Sequence, residues 1–118
     1  MRTAYLAALP DHWQPIAVVF AAMGDATRQR ILLLFEPGEE LSIKEITAAF
    51  DYGRSTIVHH LAVLEKAGIL CVRRKGRQAL YSVSHSIVLD SLEKLRIFIE
   101  EDLHGAAALP QVEQGRQA

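Results

Sequence analysis

The chain has 118 residues, half of them hydrophobic and 23% charged, which suits one domain with a single core and excludes a chain disordered over most of its length. No apolar run approaches the roughly 18 to 20 residues that span a bilayer, and residues 1–10 lack a charged-then-apolar signal pattern, so a cytoplasmic protein with no membrane partner is expected. The formal net charge of -1 hides an asymmetry: from Arg54 to His85 six basic residues face one acid, Glu65, while the remaining residues carry seven basic and thirteen acidic side chains.

Taken in chain order, Trp13, Ile16, Phe20 and Met23 recur at spacings of three and four, and Pro15 falls where a first turn tolerates a missing N–H. These features predict a first helix over about His12 to Met23. Asp25 is placed to cap a second helix, whose apolar positions Ile31, Leu34 and Phe35 precede the stop signal Pro37-Gly38. Ser42 and Glu45 form an S-x-x-E capping box for a third helix running to about Phe50, with Leu41 and Ile46 as a hydrophobic staple across it. The short turn Asp51-Tyr52-Gly53 leads into a fourth helix, marked on one face by Ile57, Leu61 and Leu64 and closed at Ala67-Gly68. Two helices so closely joined predict helix-turn-helix.

Segments Ile69 to Arg74 and Ala79 to Ser84 are rich in β-branched and apolar residues and flank Lys75-Gly76-Arg77-Gln78, a hairpin with a basic tip. In the last helix, Val88, Leu92, Leu95, Ile99 and Leu103 step by four, three, four and four, widened by Leu89 and Phe98. That stripe is broader than one small core requires, which predicts a partner helix from a second copy. The helix is expected to end near His104-Gly105. Residues 106–118 carry Pro110 and Gly115 without periodicity and are expected to form a flexible tail, leaving 1–105 as the domain. The fold class is mainly α with a small β-hairpin, in the order α-α-α-α-β-β-α.

Burying Ile57, Leu61 and Leu64 turns Ser55, Thr56, His59, Val63 and Lys66 outward. Short hydroxyls and imidazoles on the first turns of a helix suit base edges and phosphates in a major groove, and the helix N-terminus adds its positive dipole end. Lys75 and Arg77 at the hairpin tip, with Arg73 and Arg74 behind them, offer a second grip on phosphate, and Gly76 permits the tight turn.

With these motifs in place, the segment from Met23 to Ser84 resembles the ArsR/SmtB family of bacterial winged-helix transcriptional regulators, through "MGDATRQRILLLF", "STIVHHLAVLEKAGIL" and "RRKGRQALYSV". The resemblance implies a winged helix-turn-helix homodimer joined through its first and last helices, by Trp13, Ile16 and Phe20 with Val88, Leu92, Leu95, Ile99 and Leu103. It implies a recognition helix carrying Arg54, Ser55, Thr56, His59 and His60, and a wing carrying Arg73, Arg74, Lys75 and Arg77. The partners implied are double-stranded DNA with a palindromic operator, a second copy of the chain and an unknown small effector. Gly53 and Val58 stand where many relatives carry serines.

Soft-metal sensors of the family place Cys-x-Cys at the start of the third helix, where this chain has Ser42-Ile43-Lys44. Zinc-type members use carboxylates and imidazoles on the last helix, where Asp90 matches but Leu92, Leu103 and Ala106 do not. No metal site and no cofactor are expected. The single cysteine, Cys71, excludes an internal disulfide and is expected as a small buried hydrophobe of the first hairpin strand. Its neighbours Arg73, Arg74 and Lys75 keep a redox-responsive thiolate open as the alternative. No nucleophile is paired with a base at a recognisable spacing and no phosphate-cradling glycine loop appears, so no enzyme is expected. The function expected is a dimeric, sequence-specific DNA-binding repressor released by a non-metal effector. A winged-helix module that docks proteins is the alternative from another class.

Overall fold

The computed structural model describes residues 1–107. Residues 1–10 precede a 3-10 turn, Asp11–Trp13, which leads directly into α1, Gln14–Met23, with Pro15 in its first turn. α2, Ala26–Leu34, starts at Asp25, whose Oδ1 accepts from the Arg28 N–H at 3.0 Å, and ends at Phe35 where the backbone turns extended. The capping box is formed in full: the Glu45 N–H donates to Ser42 Oγ at 3.2 Å, and the Ser42 N–H donates to Glu45 Oε1 at 3.0 Å. Two donors of a helix start are thereby satisfied, and α3 follows as Ile43–Ala49.

α4 spans Arg54–Lys66 and closes as a Schellman motif. The Gly68 N–H donates to the Glu65 carbonyl and the Ile69 N–H to the Leu64 carbonyl, at 2.9 and 3.0 Å. Gly68 takes φ +79°, a left-handed conformation that a side chain would disfavour. The reversal drops Ile69 and Leu64, both fully buried, into one cluster and sends the chain into the hairpin.

The hairpin strands pair antiparallel from Leu70 opposite Val83 to Lys75 opposite Gln78, leaving Gly76 and Arg77 as a two-residue loop. Gly76 alone of the two has positive φ, the pattern of a type II′ turn. A further strand that sequence patterning did not predict is the two-residue β1, Leu41–Ser42. With β2, Leu70–Lys75, and β3, Gln78–Val83, it makes a three-stranded antiparallel sheet in the order β1-β3-β2. Leu41 pairs with Tyr81 and Ser42 with Leu80, so the start of α3 is tied to the wing.

α5, His85–Ala107, runs two residues past its expected end. Of the segment expected as a tail, residues 106 and 107 therefore belong to α5, and residues 108–118 lie outside the described residues. The core is contributed by every helix before the wing: Val19 and Ala22 from α1, Ile31 from α2, Ile46 from α3, and Ile57, Leu61 and Leu64 from α4, closed by Ile69, Leu70 and Tyr81. Trp13 meets Phe98 edge to face with ring centroids 5.0 Å apart, docking the start of α1 on α5. The architecture is a winged helix-turn-helix.

Candidate nucleic-acid interface

Because Ile57, Leu61 and Leu64 are drawn into the core, the opposite face of α4 is held out to solvent. Arg54, Ser55, Thr56, Val58 and His59 are all exposed. Val63, expected outward, is instead half-buried and packed against the core beside Leu64.

His60 departs from the expected pattern as well. It is half-buried, and its Nδ1 lies 3.2 Å from Arg28 Nη1. The same guanidinium donates from Nε to the Ala22 carbonyl at 2.7 Å and from Nη2 to the Ala21 carbonyl at 3.2 Å. Arg28 thus satisfies carbonyls at the end of α1 while bracing one turn of α4, and His59 alone of the histidine pair faces outward. A second brace holds the turn before α4. Arg30 Nη1 donates to the Tyr52 hydroxyl at 3.3 Å while its guanidinium lies over the Phe50 ring, 5.2 Å from the centroid. Neither arginine stands out in the sequence, since the side-chain partners His60 and Tyr52 lie 32 and 22 positions away.

The four wing cations are exposed but not equivalent. Arg73 is ion-paired with Glu40, and its Nη2 donates to Glu40 Oε1 at 2.8 Å. The hydrogen bond from Arg73 holds the Glu40 carboxyl below its usual range, so the pair is charged at neutral pH. Arg74 Nη2 donates to the Arg77 carbonyl at 3.4 Å, across the neck of the turn. Lys44, Arg54, Arg74 and Arg77 line one cleft of about 260 Å³ between α3, the start of α4 and the wing, together with Ser42 and Gln78.

Cys71 corrects an expectation: it is exposed rather than buried. The strand buries Leu70 and half-buries Val72, and alternation of side chains then forces Cys71 to the open face. On α5, Leu89, Leu92, Ile97, Ile99 and Leu103 are exposed, Leu103 at 62% and Leu92 at 48%. The expected interface stripe is accordingly divided. Val88 packs on the chain's own core and Ile16 is only 3% exposed, whereas Leu92, Ile99 and Leu103 are left largely open to solvent within the single chain. Asp90, the one residue matching a zinc-type ligand, is paired to Lys94 at 3.0 Å. Among the described residues no three His, Cys, Asp or Glu side chains are grouped so as to hold a metal ion, and no helix is long and apolar enough to cross a membrane.

Known proteins share the helix-turn-helix fold. Residues 23–73 match a family model described as a helix-turn-helix domain. The chain is 32% identical over 83 residues to the transcriptional repressor SdpR of Bacillus subtilis, covering 70% of this chain and 91% of that protein. It is 42% identical over 64 residues to the arsenic resistance transcriptional regulator ArsR1 of Pseudomonas putida, covering 54% of this chain and 50% of that one. Among solved structures, an ArsR-like transcriptional regulator from Rhodococcus sp. RHA1 superposes with a TM-score of 0.72 at 27% identity, over 83% of this chain and 92% of its own.

Proposed function

Since the chain belongs to the ArsR/SmtB family of winged-helix transcriptional regulators, we propose that it is a homodimeric repressor that reads a palindromic operator and is released by an effector other than a metal ion. The observation that carries the DNA reading is the joint exposure of the polar first turns of α4 and a basic two-residue wing tip. Ser55, Thr56 and His59 enter the major groove, where hydroxyls and imidazole exchange hydrogen bonds with base edges. Lys75 and Arg77 take backbone phosphates beside it, and Arg73 contributes less because Glu40 already neutralises it. His60 serves α4 from within, through Arg28, rather than DNA.

The two roles separate experimentally. Lys75→Ala combined with Arg77→Ala weakens binding on operator and random duplex alike and lowers the slope of log K against log salt by about one for each phosphate no longer neutralised. His59→Ala or Thr56→Ala instead costs about 1–3 kcal/mol of discrimination between operator and random duplex. Fluorescence anisotropy over a salt series measures both. An unchanged salt slope removes the wing assignment, and equal losses on both duplexes remove the base-reading one.

The non-metal reading rests on what the would-be ligand positions already do. Ser42 is committed to its capping box, Lys44 presents an ammonium, Asp90 is paired with Lys94, and Leu92 and Leu103 are apolar. A ligand shifts the DNA-bound equilibrium only by its difference in affinity between free and bound forms, and these positions offer a metal little of it. The cleft between α1 and α5, lined by Trp13, Ile16, Ile97 and Phe98 and bordered by His12, Lys94 and Glu101, is where a small effector would act on the helices that join the dimer.

Exposure of Cys71 favours one second reading, in which peroxide transfers an oxygen to the thiolate, leaving a sulfenate and water. Operator release is expected to be unaffected by zinc, cadmium or arsenite at modest excess. Metal-driven release abolished by EDTA overturns the non-metal reading, and peroxide-driven release absent in Cys71→Ser makes the redox reading the leading one.

A further inference from the structure

The cleft between α3, α4 and the wing gathers four cations from three separate elements: Lys44 from α3, Arg54 from the first turn of α4, and Arg74 and Arg77 from the hairpin. No carboxylate lines it among the described residues. Among the described residues none of these four is in an ion pair, although Arg73, the residue before Arg74 in the chain, is taken by Glu40. Four cationic residues around one cleft of about 260 Å³ make it attractive to an anion.

We propose that this cleft is a phosphate site, filled in the DNA complex by one backbone phosphate of each half-site. Guanidinium forks match the paired oxygens of a phosphodiester, and Lys44 adds a point charge. Arg54, Arg74 and Arg77 are open to solvent, as suits a group that arrives on a polymer rather than a small anion enclosed by protein. The placement fits the same source. A phosphate held here sits between the helix that enters the groove and the wing that reaches past it, so it sets the angle between the two grips. β1 makes that coupling rigid, since Ser42, two residues before Lys44, pairs with Leu80 of the wing's second strand. This inference rests on the DNA-binding reading above and adds to it a residue, Lys44, that belongs to neither the recognition helix nor the wing.

The test uses the full-length protein and a 30-base-pair duplex that it selects from a randomised pool. Neutral methylphosphonate linkages are introduced one at a time, and affinities are measured for wild type, Lys44→Gln, Arg54→Gln and Arg54→Lys. In wild type, one linkage per half-site is expected to weaken binding about tenfold or more when neutralised. In Lys44→Gln and Arg54→Gln the same linkage is expected to lose part of that effect, while the other linkages keep theirs. Arg54→Lys keeps the charge without the fork and falls between. Matching circular dichroism melts and sedimentation confirm that the variants are folded as wild type is.

A linkage penalty equal to wild type in both glutamine variants overturns the phosphate site while leaving the DNA-binding function standing. Pyrophosphate binding by wild type that is lost in Lys44→Gln, with duplex affinity unchanged by the same substitution, overturns the backbone source in favour of a free anion. If wild type retains no duplex from the pool, the functional reading falls and takes the backbone assignment with it.

Discussion

Leu92→Glu is expected to leave each winged-helix domain folded but monomeric, and to lower affinity for a palindromic duplex by about 100-fold or more. Leu92 is 48% exposed in the single chain, so a carboxylate there meets water and the domain tolerates it. In the proposed dimer the same residue lies on the α5 stripe with Leu89, Ile99 and Leu103, and two-fold symmetry brings in a second copy of every substituted group. Two carboxylates desolvated in an apolar seam without partners cost several kcal/mol, which opposes association directly. The loss on DNA follows from geometry. A dimer delivers its second recognition helix to a half-site about 34 Å away at high effective concentration, and a linked pair can exceed single-site affinity by about 10²–10⁴ without any new interaction. Sedimentation equilibrium at micromolar concentration, alongside anisotropy on one-half-site and two-half-site duplexes, measures both effects. A Leu92→Glu protein that still sediments as a dimer places the interface elsewhere.

The second large effect is on stability. Leu61 is 1% exposed at the centre of the face that α4 turns to the core, among Ile31, Ile46, Ile57 and Leu64. Leu61→Ala removes its packing and leaves a cavity in a cluster drawn from four helices and three strands, whose side chains cannot readily fill it. The expected cost is about 2–5 kcal/mol. In urea at fixed protomer concentration this appears as a lower midpoint with an unchanged m value. Thr56→Ala, on the exposed face of the same helix, should shift stability by no more than about 0.5 kcal/mol. The contrast separates a helix that is held by one face from the use made of its other face. A small loss for Leu61→Ala would mean that the core around α4 collapses onto the deleted side chain.

Local chemistry is readable from residue order because its partners are near in the chain. Asp25 reaches a donor three residues on, Ser42 and Glu45 exchange bonds across the same spacing, and Gly68 closes the helix that Leu61 and Leu64 mark. The basic tip at Lys75 to Arg77 and the charge imbalance around it are likewise properties of consecutive residues. Helix positions, the hairpin turn and most of the face of α4 presented to solvent follow from such short-range rules, and with them the helix-turn-helix followed by a hairpin.

The remainder depends on partners distant in sequence. β1 has two residues and exists through pairing with Leu80 and Tyr81, so no periodicity could announce it. The burial expected for Cys71 fails because consecutive Ile69 and Leu70 are both apolar and leave the strand's parity open, and the pairing with β3 fixes which side faces the core. His60 turns inward to meet Arg28 across 32 positions, and Arg73 is claimed by Glu40 across 33. Residue order names a cation or an apolar side chain, but whether that cation is free to bind phosphate, or that side chain left uncovered, is a matter of which distant groups the fold brings beside it. Packing alone sets those distances, which is why Lys44 joins Arg54, Arg74 and Arg77 around one cleft while Arg73, on the other face of β2, is paired with Glu40.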